Sequence, residues 1–187
     1  MESDQEKSYL TTSDKSRVTF SDLFRYTRES LSGEKCIIAN SDIFFDETLE
    51  VISEVDLGKT MICLSRWDIR KGLGGLAVKL FKRADSQDSW IFNSPVSKEI
   101  EERSNFYLGR KGCDNALAWI AHDEGMKLTN PAHQIISKHL HMVDYRTYKS
   151  YGSLLDDPKR KLDYTKVYIT DDWELSRVSK NREEWEL

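Results

Sequence analysis

The sequence predicts an α/β domain built on a mainly parallel mixed sheet, and three observations lead to this prediction. Short continuous apolar runs, which are typical of strands buried on both faces, alternate with segments of helical periodicity. The elements follow the order β-α-β-α-β and then become mixed, as in sheets whose strands are joined by crossover helices. The length of 187 residues is enough for one domain with a sizeable core.

The composition narrows the class of protein. Hydrophobic residues make up 39% of the chain and charged residues 32%, which is a globular profile. A net charge of −4 argues against a broad nucleic-acid-binding surface, so a nucleic-acid partner is not expected. No apolar run approaches the roughly 18 residues of a membrane span. The three cysteines form no CxxC pair, which argues against a zinc ribbon and favours a reducing, cytoplasmic setting.

The predicted elements can be placed in chain order. Residues 1–16 lack periodicity and are predicted to be a loose lead-in. A short strand over 17–20 precedes a helix that begins at the capping box Thr19-x-x-Asp22 and ends before Gly33. The following elements are strands over 36–39, 60–64 and 88–92, helices over 47–54 and 97–102, a loop over 71–75, a helix from about 116 to 125, strands over 127–129 and 134–141, and a short helix from 144. The domain is predicted to span 17–150, and 151–187 to be a charged peripheral tail.

Three short clusters of polar residues follow predicted strands, and a fourth cluster lies at the start of a predicted helix. Parallel sheets bind ligands at the carboxyl ends of their strands, so we expect these groups to meet in one cleft. The four groups are Asn40-Ser41-Asp42, Arg66-Trp67-Asp68, His139-Leu140-His141 and Gly112-Cys113-Asp114-Asn115.

The first and third groups contain the residue types of a divalent-cation site. Asp42 could supply a carboxylate oxygen to Mn²⁺ or Mg²⁺ and Asn40 an amide oxygen, with water and phosphate oxygens in the remaining positions. His139 and His141 are two residues apart on a strand and share one face, so one of them could complete the site. The same residues also fit plainer roles, as an Asx-turn or helix cap and as two partly exposed histidines.

Asp114 lies in the first turn of a predicted helix, where the positive end of the helix dipole favours a carboxylate. Its functional interpretation is a general base that takes the proton of an acceptor hydroxyl, and its structural interpretation is a helix cap. Cys113 beside it is interpreted as a buried structural thiol, because no histidine lies near it in the sequence.

Two segments place an acid near a tryptophan at a strand boundary. In these segments Asp68 adjoins Trp67 and Asp88 lies two residues before Trp90. A sugar can stack its C–H face on an indole while its hydroxyls bond to a carboxylate, although both tryptophans also suit a core. Arg66 suits a phosphate. The candidate substrate-binding residues are Arg66, Trp67, Asp68, Asp88, Trp90 and Asn115.

The order of these motifs resembles that of GT-A-fold glycosyltransferases. The segment from Cys36 to Asp46 is similar to their strand and DxD-type motif, with Asn40-Ser41-Asp42 at the motif itself. Gly112 to Asn115 looks like the position of their catalytic acidic residue, and His139 to His141 like that of their C-terminal metal-binding histidine. The resemblance covers roughly residues 17–148.

This resemblance implies a three-layer α/β/α fold and a metal-dependent transfer of a sugar from a nucleotide-diphosphate donor to an acceptor hydroxyl. It implies that Asp42, with His141 or His139, holds Mn²⁺ or Mg²⁺ on the diphosphate, and that Asp114 acts as base in an inverting displacement. Asn40 replaces the first acid of the motif, and fewer than forty residues precede it, so the expected fold has a reduced N-terminal half. The acceptor class, whether glycan, protein or small molecule, stays open.

Two other functions fit the same residues. A non-catalytic binding module on the same fold is favoured by Asn40 and by the short N-terminal part. A metal-dependent phosphohydrolase or nuclease could use Asp42, Asp114 and His141, although the chain lacks a basic stripe.

Overall fold

The structure, a computed structural model, describes residues 17–72, 75–140, 153–154, 162–171 and 178–179. Within these residues the chain forms a mixed α/β fold with two mixed four-stranded sheets and a short two-stranded one. The helices are α1 (Phe20–Ser30), α2 (Val51–Glu54, after a 3-10 turn over Glu47–Glu50), α3 (Lys98–Arg103) and α4 (Cys113–Asp123). The strands are β1 (Lys35–Ala39), β2 (Ile43–Phe45), β3 (Thr60–Leu64), β4 (Trp67–Gly72), β5 (Gly75–Leu80), β6 (Ser89–Asn93), β7 (Lys127–Thr129), β8 (Ser137–Leu140), β9 (Lys166–Val167) and β10 (Val178–Ser179).

The first sheet has the strand order β1-β6-β3-β7, and only its β3–β7 pair is parallel. Strand β6 is antiparallel to both of its neighbours. The sheet is therefore mixed, as expected, but the prediction that it is mainly parallel is wrong. A short apolar run indicates a strand buried on both faces and does not specify the direction of its neighbours, which the pairing of distant segments decides.

The second sheet has the order β2-β8-β4-β5, with β4 parallel to β8 and the other two pairs antiparallel. The sequence predicted a loop over 71–75, whereas β4 and β5 form a hairpin that includes residues 72 and 75. Residues 76 to 78 are apolar in sequence, but residues 75 to 79 are all exposed, so β5 is an exposed strand and not a buried one.

Helix α1 begins where the sequence predicts. The Thr19 hydroxyl accepts a hydrogen bond from the Asp22 backbone N–H at 3.0 Å, and the Asp22 carboxylate accepts one from the Thr19 backbone N–H at 3.0 Å. This reciprocal capping box satisfies two N–H groups that the first helical turn leaves without partners.

The core lies on both faces of the first sheet. Along β6, Trp90 and Phe92 face one side and Ile91 the other, as the two-residue period of a strand requires. The larger cluster packs α1 and α4 against the sheet and includes Phe20, Phe24, Phe106, Leu117 and Ile120. The smaller cluster covers the opposite face and consists of Ile52, Leu57, Ile62, Leu64, Ile91 and Ile135. All three cysteines are buried and unpaired, as the sequence predicts.

Part of the segment predicted as a peripheral tail contributes to this core. Leu154 and Val167 are fully buried in the larger cluster, and Thr165 is also fully buried. The weak periodicity of 151–187 concealed this packing, because a two-residue strand such as β9 is too short to show a period.

Asn130 attaches this C-terminal segment to the end of β3. Its side chain is fully buried and donates to the Ser65 hydroxyl at 2.9 Å and to the Val167 carbonyl at 3.1 Å. Its side-chain carbonyl oxygen accepts from the Ser65 backbone N–H at 3.0 Å. The Asn130 side chain thus provides hydrogen-bond partners for buried polar groups of both Ser65 and Val167.

We expect Asn130→Ala to lower the free energy of unfolding by about 2 to 3 kcal/mol, because it leaves buried donors and acceptors without partners. Urea denaturation of both proteins measures this difference. Asn93→Ala is the matched control, since the Asn93 amide only bonds to the Gly58 carbonyl at the surface, and its expected cost is below about 0.5 kcal/mol. Equal decreases in the free energy of unfolding for the two variants would contradict the role given to Asn130.

Candidate active site

Most of the polar side chains predicted at strand ends lie along one groove of about 2120 Å³. The groove is lined by the β1–β2 turn, the segment from Asp85 to Asp88, the start of α4 and residues from the second sheet. The predicted site residues that line it are Asn40, Asp42, Arg66, Asp88, Asp114, Asn115 and His139.

Strand pairing within and between the two sheets brings these residues together. The antiparallel β1–β6 pair places Asn40 beside Asp88, and the Asn40 backbone N–H donates to the Asp88 carbonyl at 3.0 Å. In the second sheet His139 pairs with Asp68 across β8 and β4. The β1–β2 turn joins the two sheets, so the residues of both sheets lie along one groove.

Arg66 lies between two carboxylates. Its Nε donates to Asp68 Oδ1 and its Nη1 to Asp88 Oδ2, both at 2.7 Å, and the other Asp88 oxygen accepts from the Asn40 side-chain amide at 2.8 Å. Burial alone would raise the pKa of Asp68, but the Arg66 guanidinium outweighs it and holds this pKa below its usual value. The side chain of Arg66 is only 18% exposed, so the two ion pairs are largely shielded from water.

His139 joins this cluster to the β1–β2 turn. Its Nδ1 lies 3.2 Å from Asp68 Oδ1 and its Nε2 lies 3.0 Å from Asp42 Oδ2. The side chain of His139 is 12% exposed, whereas that of Asp42 is 53% exposed. In metal sites a ligating imidazole usually has its other ring nitrogen at a carboxylate, which is the position of His139 Nδ1 beside Asp68.

Asp114 enters the same groove from the first turn of α4. The helix begins after Gly112, whose φ of 81° is left-handed and suits glycine. One carboxylate oxygen of Asp114 accepts from the Gln87 backbone N–H at 3.3 Å. Burial raises the pKa of Asp114 to about 7, and the negative charge of Asp88 adds to this shift. Asp114 can therefore exchange a proton near neutral pH, as a general acid or base must.

The two predicted tryptophans lie elsewhere. Trp90 is 1% exposed and packs edge-on against Phe20 with ring centroids 4.9 Å apart, so it belongs to the core. Trp67 donates from its indole N–H to the Ala132 carbonyl at 2.8 Å and does not line the groove. The sequence interpretation left a core role open for both, because a tryptophan beside an acid has the same local pattern in either place.

Two further predicted residues have roles that the sequence did not specify. The Asn40 amide orients Asp88, as described above, and Asn115 donates to the Thr165 carbonyl at 3.3 Å and so helps to hold the C-terminal segment. His141 lies outside the described residues. Asp68 lies behind the groove lining, where it contacts Arg66 and His139.

Sequence reasoning missed Phe81 and Arg83, which also line the groove. The Arg66 guanidinium lies 4.2 Å from the centroid of the Phe81 ring, and Arg83 forms a two-point ion pair with Asp85 at 2.8 and 2.6 Å. The only sequence signal was the mixture of apolar and basic residues from 76 to 83, which becomes informative once β5 is known to pair with β4.

Comparison with known proteins adds no assignment. No protein-family model matches the chain, and no curated protein and no solved structure is significantly similar to it. In the described part of the chain, no helix is long and apolar enough to cross a membrane. Across the same residues, no group of three or more His, Cys, Asp and Glu side chains is placed to hold a metal ion by itself.

Proposed function

We propose that this chain is a metal-dependent glycosyltransferase that moves a sugar from a nucleotide-diphosphate donor to an acceptor hydroxyl. The observation that carries the proposal is the meeting of Asp42 and His139. These two residues are 97 positions apart in the sequence, and their side chains approach to 3.0 Å in the groove that Asp114 also lines. The same three positions carry the sequence resemblance to GT-A-fold glycosyltransferases.

The residues present fit a divalent cation of the Mn²⁺ or Mg²⁺ type. Asp42 offers a hard carboxylate oxygen that is open to the groove, and His139 offers an imidazole nitrogen that Mn²⁺ accepts. Such cations keep water molecules and phosphate oxygens as ligands, so two protein ligands are enough when a diphosphate is bound. A cation bound there would neutralise the negative charge that develops on the leaving diphosphate.

The chain's own residues account for the remaining steps. Arg66 has five N–H donors, of which the contacts with Asp68 and Asp88 use two, and the others suit a donor phosphate. Asp114 in its ionised form takes the proton of the acceptor hydroxyl. The acceptor oxygen then bonds to the anomeric carbon, the bond from that carbon to the diphosphate oxygen breaks, and the nucleoside diphosphate leaves with the electron pair. This single displacement inverts the anomeric centre.

Metal dependence gives a direct test. With UDP- and GDP-sugars we expect transfer or donor hydrolysis that requires Mn²⁺ or Mg²⁺, and we expect Asp42→Ala and His139→Ala to weaken Mn²⁺ binding at least about tenfold. Isothermal titration with Mn²⁺ and the nucleoside diphosphate measures the binding. Asp56→Ala is the matched control, because Asp56 is an exposed carboxylate that only caps a turn at Gly58.

The outcomes separate the alternatives. Binding of Mn²⁺ and nucleotide without turnover would favour a non-catalytic binding module on the same fold. Cleavage of a generic phosphodiester would favour a phosphohydrolase. If Asp42→Ala and His139→Ala kept wild-type metal binding and activity, the assignment of this site would fail.

A further inference from the structure

One edge of the first sheet is open along the same groove that holds the candidate active site. Strand β1 stands at the end of the strand order β1-β6-β3-β7, so only one of its two sides is paired. Every residue from Glu34 to Asp42 lines the groove, although successive side chains of a strand face opposite sides of the sheet. The groove therefore follows the unpaired side of β1, which we call the β1 edge, and leads to Asp42.

The backbone groups of three residues point out of the sheet at the β1 edge. The Asn40 backbone N–H donates to the Asp88 carbonyl on the β6 side, and in an antiparallel pair the bonded positions alternate, so the even-numbered residues before Asn40 also bond to β6. The N–H and C=O groups of Lys35, Ile37 and Ala39 point the other way. Within the described residues these groups have no hydrogen-bond partner.

The β1 edge lacks the features that usually protect an edge strand, such as a proline or a charged side chain lying over the edge. The stretch 34–42 contains no proline. The Lys35 ammonium group donates to the carbonyls of Ile52 and Ser53, both at 2.8 Å, so this side chain is turned away from the edge. Apolar side chains line the groove beside it instead, including Ile37 on β1 and Tyr26 on α1, which is 60% exposed.

We propose that the β1 edge binds an extended polypeptide strand of another protein, which adds to the first sheet as a fifth strand. The main chain of a strand recognises alternating N–H and C=O groups along an open edge, and apolar surface beside the edge accommodates its alternate side chains. A strand bound along the whole edge reaches Asp42 and so lies next to the candidate active site. The inference does not depend on the proposed function, because the β1 edge can pair with a strand whether or not a cation is bound.

Charge favours an acidic polypeptide over a second copy of this chain. Apart from the candidate active site, the charged residues that line the groove are four basic ones and one acidic one, namely Arg17, Lys35, Arg110, Lys111 and Glu34. A second copy paired through its own β1 edge would bring the same basic residues of two chains together, whereas a negatively charged strand would meet the opposite charge. Strand β5 is also an edge strand, but its residues do not line the groove.

Selection of peptides from a random library tests the proposal. Phage that display random twelve-residue peptides are selected on the full chain, and the selected peptides are synthesised and titrated calorimetrically without metal or nucleotide. We expect peptides with alternating apolar residues and a net negative charge. N-methylation of alternate backbone amides should abolish binding for one of the two alternating sets and leave it nearly unchanged for the other, because only one set faces the β1 edge.

Proline substitution distinguishes the β1 edge from the rest of the surface. Ile37→Pro removes an N–H that points out of the sheet, where an edge strand tolerates proline, and it should weaken peptide binding at least about tenfold. Val78→Pro is the matched control on β5. The Phe81 backbone N–H donates to the Arg66 carbonyl, so the alternation places the Val78 N–H on the open side of β5. This variant should bind the peptides as the wild type does.

Charge reversal tests the same site without changing β1. Arg110→Glu with Lys111→Glu should weaken peptide binding and make it less sensitive to salt. Lys59→Glu with Lys127→Glu reverses two exposed lysines that do not line the groove, and binding should stay at the wild-type level. Thermal melts monitored by circular dichroism check that every variant is folded.

Three results would overturn the proposal. The first is a selection that yields no binding peptide, and the second is a set of peptides that bind equally well with either set of amides methylated or that bind Ile37→Pro as strongly as the wild type. The third is a wild-type dimer in sedimentation velocity that Ile37→Pro converts to a monomer, since this would assign the β1 edge to a second copy.

Discussion

Replacing Asp114 with asparagine is expected to lower kcat for the proposed sugar transfer by about 10²- to 10⁴-fold, which is the usual contribution of a general base. Asparagine keeps an oxygen that can accept from the Gln87 backbone N–H but cannot take a proton from the acceptor hydroxyl. Affinity for the nucleoside diphosphate should change little, because the proposed cation ligands Asp42 and His139 are intact. Steady-state kinetics and isothermal titration measure the two quantities.

The pH dependence gives an independent measure of the same role. Asp114 acts only when ionised, and its pKa is raised to about 7, so the wild-type rate should increase with pH and level off above about 7. Asp123→Asn is the matched control, since Asp123 lies in the last turn of α4 and pairs with Arg103. An Asp114→Asn variant with wild-type kcat, or a rate that is flat between pH 5 and pH 9, would remove Asp114 from the mechanism.

The same substitution should stabilise the fold at high pH. A carboxyl whose pKa is higher in the folded protein than in the unfolded chain favours folding below its unfolded pKa of 3.8, and this contribution is lost as the pH rises to about 7. Above that pH the partly buried ionised carboxylate costs on the order of 4 kcal/mol, and Asp114→Asn removes the cost. The melting temperatures of Asp114→Asn and the wild type should therefore coincide below about pH 3.8, separate as the pH rises to about 7, and differ by a constant amount above it.

Removing the guanidinium of Arg66 is expected to lower the free energy of unfolding by about 3 to 5 kcal/mol, because it leaves the largely buried Asp88 without a positive partner and leaves Asp68 with only the exposed Arg70. The side chains of Asp68 and Asp88 are 7% and 11% exposed, so water cannot replace the lost hydrogen bonds fully. Urea denaturation of Arg66→Ala against the wild type measures the loss.

A surface ion pair supplies the comparison for Arg66. Arg25 pairs with Asp22 on the exposed side of α1, with both side chains about half exposed, and Arg25→Ala should cost less than about 1 kcal/mol. Arg66→Lys should recover only part of the loss, because an ammonium group cannot bridge two carboxylates with the planar fork of a guanidinium. Similar losses for Arg66→Ala and Arg25→Ala would show that the buried network is not a stabilising unit.

Several elements were predictable because their signals are local. The capping box at Thr19 and Asp22 specifies the start of α1 within four residues of sequence, and the structure confirms it. The apolar runs at 36–39 and 60–64 are strands β1 and β3. The candidate site residues at strand ends were predicted from the rule that open α/β sheets bind ligands at the carboxyl ends of their strands, and most of them line one groove.

Other features had no local signal. Strand β5 is exposed along most of its length, and the sequence predicted a loop over 71–75 and no strand over the rest of β5, although the pairing of β5 with β4 places Phe81 beside Arg66. Trp67 and Trp90 each stand near an acid in the sequence, yet one bonds to Ala132 and the other is enclosed in the core. Burial of a large aromatic side chain depends on what packs against it, and that is a property of the whole fold.

From the sequence alone we could predict the class of fold, the position of most helices and buried strands, and the polar residues from which a site could be built. These properties follow from hydrophobic periodicity and capping, which act over a few residues. Two features became apparent only in the folded protein: the antiparallel insertion of β6 between β1 and β3, and the approach of His139 to Asp42 and Asp68. Both depend on the pairing of strands far apart in the chain, whose direction and register are selected by the packing of the complete core.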